Sequence, residues 1–284
     1  MDFDPVTQRM FFAGGRPQEQ AAPQKMVWFD APLNEWRSKS NWSGIRGGHI
    51  YRSTCVIPEH RRAAYIPAYL TDGIVPLWDI DTNTYAGSIP RPPNVLSGGT
   101  AAYSPATALV WHPTLGPQGS IVMANKSLSR VARFDWAAQT WMSVGRFDAA
   151  VGWVNVHMAG HYNAHAGAAI VGATRAAVQR RLVIVEQDGS TRIAAQGPCA
   201  VSATGHGLFV PHPTRSASVS LCLDTQRVWS YEWDTDVWVD RAPLPPVLNS
   251  VNVMPATIHE LGVIFAAKYG AGGTSKTYVY KPDF

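Results

Sequence analysis

His157, His161 and His165 in the segment HMAGHYNAH stand four residues apart. On a helix that spacing would line up three imidazoles and offer them to a metal ion. The segment reads instead as two short strands joined by a turn, with no acid beside it to complete a ligand set. Neither a metal nor any other cofactor is therefore expected. Six of the nine histidines, His60, His112, His161, His165, His212 and His259, fall in a corresponding hairpin turn in five successive stretches of the chain. The first expectation for them is turn capping or solvation. If those hairpins surround a common centre, the six would form a loose histidine ring, and a pH-responsive contact surface is then the second reading.

Other chemistry is harder to place. A Gly-x-Ser-x-Gly elbow, a phosphate loop and an HExxH pair are all missing from the sequence. Of 20 acidic residues, 11 sit in one class of turn, among them Asp30, Asp79, Asp135, Glu186 and Glu232. Solvent-facing corners leave carboxylates with ordinary acidity, unlike the paired, perturbed groups of acid–base catalysis. Cys55, Cys199 and Cys222 form no CxxC pair and read as buried thiols in a reducing compartment. The expectation is a chain that is not an enzyme.

The elements that carry these residues repeat. FDAPLNEW, WDIDTNTY, FDWAAQTW and YEWDTDVW each place an aromatic, an acid, five residues and a second large aromatic. VEQDGSTR is a looser copy, and YKPDF at the end begins another. The acid or its equivalent recurs every 46 to 56 residues, the length of one four-stranded propeller blade. About 20 residues before each acid lies a hairpin whose turn often carries proline, as at Pro5, Pro58, Pro113, Pro213 and Pro255. Charged residues are only 15%, while 24 glycines and 21 prolines suit many short strands and tight turns. Within TRAAVQRRLVIVEQ the apolar positions hold no helical stripe, so LVIVE is expected to be a strand. The fold expected is all-β: one six-bladed β-propeller domain over 1–284, with blades at about 1–41, 44–90, 98–145, 150–195, 200–243 and 248–284. The repeated aromatics then bury against the neighbouring blade and are scaffold rather than a binding box.

The period, the corner motif and Gly14-Gly15 after DFDPVTQRMFFA resemble the kelch and galactose-oxidase-like propellers, over essentially the whole chain. The other five blades depart from that pattern by lacking the double glycine. Galactose-oxidase-like catalysis implies a copper site with Tyr and His ligands beside a cross-linked Cys, and no such set can be assigned around Cys55. A sialidase-like corner is present once as QDGSTR, without its Ser or Trp. Blade 1, FFAGGRPQEQAAPQKMVWFD, is also similar to segments of β-propellers in bacteriophage tail proteins.

Strand three of blade 6 spans about Lys276 to Tyr280, and the residue matching Trp36 would be number 287. The last blade is thus expected to lack its outer strand and to leave an open edge at Lys276, Tyr278 and Tyr280, which proteins cover or pair. Arg16, Arg46, Arg91, Lys126, Arg146, Arg175, Arg180, Arg181 and Lys268 fall in loops of the opposite class from the acids, giving a basic loop face and an acidic rim. Net charge is +4, with no run of more than two Lys or Arg and no regularly interleaved stacking aromatics, which argues against nucleic acid. The amino terminus has no basic-then-apolar leader and no apolar run reaches about 18 residues, which argues against a membrane and for a cytoplasmic or virus-particle location. The sequence therefore points to a non-catalytic interaction or structural propeller within a larger assembly, a virion or tail component being one version. Its partners would be other proteins or copies of itself, met through the basic face or the open edge. The alternative is a carbohydrate-binding or carbohydrate-active propeller with Trp42, Arg46, Arg91, Trp153 and His206 around a glycan pocket.

Overall fold

The structure, a computed structural model, describes residues 2–14, 25–40, 54–66, 74–90, 107–125, 130–147, 158–172, 181–198, 208–223, 225–248, 253–269 and 275–284. They belong to two compact units, Met1–Arg146 and Phe147–Phe284, each with three antiparallel sheets. In the first unit, blade 1 is β1 (Asp2–Asp4), β2 (Arg9–Gly14), β3 (Lys25–Asp30) and β4 (Glu35–Ser40). Blade 2 is β5 (Thr54–Ile57), β6 (Arg62–Tyr65), β7 (Ile74–Asp79) and β8 (Thr84–Pro90). Blade 3 is β9 (Thr107–His112), β10 (Ser120–Asn125), β11 (Arg130–Asp135) and β12 (Thr140–Arg146). In the second unit, blade 4 is β13 (Ala159–Asn163), β14 (Ala168–Gly172), β15 (Val183–Val185) and β16 (Thr191–Ile193). Blade 5 is β17 (Leu208–Pro211), β18 (Ala217–Cys222), β19 (Arg227–Glu232) and β20 (Val237–Pro243). Blade 6 has three strands, β21 (Val253–Ile258), β22 (Val263–Tyr269) and β23 (Ser275–Tyr280). Each sheet pairs its strands in chain order, and no α-helix occurs among the described residues. This is a six-bladed β-propeller fold.

Within each unit the first strand of one blade lies against the first strand of the next, β1 to β5 to β9 and β13 to β17 to β21. Second strands are enclosed on both faces: β14 (AAIVG) and β18 (ASVSLC) are buried at every position, with Ser218 and Ser220 fully enclosed. A strand covered on both faces loses the apolar–polar alternation of a half-exposed one. The outer strands keep contact with water, as in β20 (VWVDRAP), where no residue is buried. The apolar core of each unit lies between facing blades, for example Ile57, Leu77, Trp111, Ile121 and Phe134 between blades 2 and 3.

The corner motif has a local cause. Its acid caps the turn: Asp79 Oδ1 accepts from the Asp81 and Thr82 N–H groups at 3.0 and 2.8 Å, and Asp135 Oδ1 accepts from Ala138 N at 2.9 Å. Four residues after the acid comes a left-handed residue, Asn34, Asn83, Gln139 or Asp236, at φ 52–54°. Asn and Asp tolerate that conformation better than most side chains. Two residues later the large aromatic starts the outer strand. In blade 4 Gly189 takes the left-handed place and no aromatic follows, which is why VEQDGSTR reads as the looser copy.

Gly119, which closes the long turn between β9 and β10, shows how tight the first hairpins are. It has φ +75°, and a Cβ there would lie 2.3 Å from Trp111 Cζ2. Gly119→Ala is expected to cost about 3 kcal/mol of stability by urea unfolding. Gly87→Ala, at φ +97° with nothing within 4 Å, is expected to cost only about 1 kcal/mol of backbone strain.

Candidate functional site

The best-described surface of both units is the side carrying the first turn of each blade and the acidic corners. In the first unit, arginines cross it. Arg61, held left-handed at φ 53°, reaches Asp4 of blade 1 at 2.9 Å and Asp81 of its own blade at 2.6 Å. Asp4 is fully enclosed and also accepts from Thr7 N and Oγ1. Asp81 first, then Asp4, holds the Arg61 guanidinium charged more firmly than an ordinary arginine. Arg9–Asp30 (3.0 Å) and Arg62–Asp79 (2.6 Å) are pairs within one blade, each arginine standing opposite its acid on the adjoining strand. Burial would raise Asp79, but hydrogen bonds from the Thr82 N–H and hydroxyl, with Arg62, outweigh it and hold the carboxyl below its usual range. The acidic rim expected from sequence is thus crossed by arginine on its own side. Several of its acids are also enclosed rather than solvent-facing, Asp30 at 2% exposure and Asp135 at 9%.

The histidines are not uniformly solvated. His112, His161 and His212 are buried. His161 lies in strand β13, not in a turn, because AGHYN alternates buried and half-buried positions with the imidazole on a buried one. Its Nε2 meets the Ser218 hydroxyl of blade 5 at 2.8 Å. His60 Nε2 donates to Gln118 O at 2.9 Å, and its ring stacks on Trp136 at 4.5 Å and meets Trp111 edge-on. In the second unit, turns of three blades meet at one carbonyl. His165 Nε2 of blade 4 and His259 Nδ1 of blade 6 both contact Pro213 O of blade 5, at 3.3 and 3.0 Å. Beside them His212 Nδ1 accepts from Thr214 N at 3.2 Å. These imidazoles fasten one turn to the next. Among the described residues no group of three His, Cys, Asp or Glu side chains could hold a metal ion.

Around His212 lies a charged network that sequence reading missed. Glu232 receives Arg215 at 2.9 Å and Arg241 at 2.5 Å, while the Ser230 hydroxyl donates to it at 2.6 Å. Burial pushes the Glu232 carboxyl up, but Ser230, Arg241 and Arg215 together hold it below its ordinary value. Phe284 packs edge-on against His212 and takes the Arg241 guanidinium over its ring at 5.0 Å.

Of the predicted basic face, Arg16, Arg46, Arg91, Lys126, Arg175 and Arg180 lie outside the described residues. Arg146 ends β12, Arg181 is exposed ahead of β15, and Lys268 in β22 donates to Val247 O at 3.3 Å. Trp42, Trp153, His206, His157 and Cys199 also lie outside them. Cys55 and Cys222 are buried thiols, and burial, then the Asp2 charge, pushes Cys55 far from the reactive range. LVIVE does contain a strand, β15. Among the described residues no helix is long and apolar enough to cross a membrane.

The open edge is present. β23 pairs with β22 from Ile264↔Tyr280 to Tyr269↔Ser275 and has no other strand partner among the described residues. Tyr278 and Tyr280 pack inward on Leu221, Val228 and Leu244, while Lys276, Thr277 and Val279 (66%) are exposed.

No family model matches the chain. No curated protein matches it either. Solved structures do resemble it. An auxiliary nutrient binding protein from Bacteroides thetaiotaomicron VPI-5482 is 12% identical, with a TM-score of 0.59 over 98% of this chain and 68% of that one. A structure of a nidogen/laminin complex is 10% identical, with a TM-score of 0.56 over 96% and 93%. The dihydro-heme d1 dehydrogenase NirN is 12% identical at a TM-score of 0.50, and this chain spans 54% of its length. At such identities the likeness is one of fold.

Burial, and then the Arg215 charge, pushes His212 down to about 4 from 6.5, against upward pulls from the Phe284 backbone and Glu232. An unfolded chain takes up this proton below pH 6.5, while the folded one holds out until about pH 4. The contribution of His212 to stability is therefore constant above pH 6.5, falls between 6.5 and 4, and levels off below. Urea unfolding at pH 7.0, 5.5 and 4.5 should show a smaller loss in His212→Asn, whose amide oxygen can still accept from Thr214.

Proposed function

We propose that this chain is a non-catalytic interaction propeller that joins a larger assembly by adding a partner's strand to β23. The observation that carries the reading is the three-stranded blade 6: the other five sheets each have a fourth strand, while among the described residues the outward backbone of β23 has no strand partner and Val279 is exposed. Strand addition takes its affinity from main-chain hydrogen bonds and its specificity from alternate side chains. Here those would be Lys276, Tyr278 and Tyr280 on one face and Thr277 and Val279 on the other.

Several features support an interaction role over catalysis. The described acids and imidazoles are engaged in arginine pairs, turn caps and carbonyl contacts between blades. One similar structure is that of a nidogen/laminin complex, in which a related fold meets a protein partner. The kelch-like character of blade 1 and the basic loop face belong to the same reading, as do a cytoplasmic or virus-particle location and a place in a virion or tail. A glycan-binding propeller is the second reading, favoured by the likeness to a nutrient binding protein. A thermal shift with oligosaccharides would support it.

The edge can be filled deliberately. A short turn and a strand copied from Glu35–Ser40 (EWRSKS), appended after Phe284, should pair with β23. The melting temperature should then rise by about 3 °C or more, and partner or self association through this edge should be lost. An unchanged or lower melting temperature would mean that the edge is already covered.

A further inference from the structure

The corner aromatics Trp36, Trp141 and Trp238 are three copies of one arrangement. Each leans on the aromatic that precedes its corner acid: Phe29–Trp36, Phe134–Trp141 and Tyr231–Trp238 all have ring centroids 5.3 Å apart, at interplanar angles of 53°, 56° and 47°. Two of the three do more. Trp141 Nε1 donates to Pro90 O at 2.5 Å, at the end of β8 in the preceding blade. Trp238 Nε1 donates to Ala195 O at 3.1 Å, two residues past the end of β16. In both, the residue before the accepting carbonyl is buried, Ile89 at 3% and Ala194 at 2%, and shares an apolar cluster with the indole. The indole thus grips the end of an outer strand at two points, one polar and one apolar.

Trp36 holds the same pose, with no strand end in its grip among the described residues. Among the described residues its Nε1 has no acceptor, and the side chain is 40% exposed where Trp141 and Trp238 are half-buried. Every residue from Glu35 to Lys39 of β4 is exposed as well. The equivalent place in blade 4, the first blade of the second unit, is Arg192, which turns back to Glu186 and Tyr231. Among the described residues Trp36 is therefore the one corner tryptophan of the series that is shaped to clasp a strand and lacks one.

We infer that Trp36 is a receptor for the end of an outer β-strand supplied by another polypeptide, an extended segment in which an apolar residue precedes an accepting carbonyl. The two filled sites define this ligand. The indole N–H needs a carbonyl that its own strand partner has not used, which a strand end supplies, and the apolar residue covers the face that water otherwise touches. The inference goes beyond strand addition at β23. It rests on side-chain rather than main-chain recognition, and the Trp36 indole signal reads it out separately from any pairing at β23.

Two measurements on the full chain test it. In melting experiments Trp141→Phe and Trp238→Phe should each lower the melting temperature, because each loses an indole hydrogen bond, while Trp36→Phe should leave it unchanged. An equal loss for Trp36→Phe would show that its N–H is already satisfied and would overturn the inference. In nitrogen-15 spectra, with Trp36→Phe assigning the signal, a peptide copied from Ser88–Pro92 (SIPRP) should shift the Trp36 indole N–H saturably. Trp36→Phe should weaken binding of the peptide by up to about tenfold. No shift at millimolar peptide, or the same shift with a scrambled peptide, would also overturn it.

Discussion

A blade of this chain cannot stand alone, because its sheet is apolar on both faces and each face must be covered by a neighbour. Everything else in the fold answers that constraint. Second strands, covered on both faces, are buried throughout, as in β14 and β18. Farther out, where sheets diverge, the gap is filled by Phe134, Trp141, Tyr231 and Trp238. The corner acid and left-handed residue exist to launch that aromatic at the right place on the outer strand. Polar contacts then fix neighbours in register: Arg61 to Asp4, His161 to Ser218, and Trp141 and Trp238 to strand ends.

Much of this was legible because it is local. An acid that caps a turn, a left-handed Asn four residues on and an aromatic two beyond that are written within eight residues, so the repeat announces the blade. Strand β15 was legible for the same reason, once helical periodicity failed in LVIVE. What joins one blade to the next was not. Asp4 and Arg61 are 57 residues apart, as are His161 and Ser218, and nothing near either residue marks its partner. The burial of histidines was not legible. A polar ring in a proline-rich turn reads as solvated, yet the turns pack on one another, and His112 and His212 are enclosed by the hairpins beside them. The acidic rim is crossed in a related way, since Arg9 and Arg62 stand opposite their acids on adjoining strands and Arg61 reaches into the blade before its own.

The deficits in the scaffold are where its function is proposed to lie. Fully satisfied positions, such as the shared Pro213 carbonyl or the Glu232 carboxylate between two arginines, rigidify the chain and offer little to a partner. Among the described residues β23 and Trp36 break the pattern that the other blades keep, one by an outward backbone edge without a strand partner and the other by an unfilled grip. Natural sheets cover or blunt such edges. An edge with Val279 exposed and two inward tyrosines is built like the inside of a blade.

Amide hydrogen exchange along Ser275–Tyr280 in the isolated, dilute chain tests the central claim most directly. With β22 as its single strand partner, β23 should show alternating protection, slow amides that bond to β22 between fast ones that face outward. Uniform slow exchange, matching that of the interior strands β3 and β19, would mean that the edge is already paired, and the proposed docking through it would be wrong.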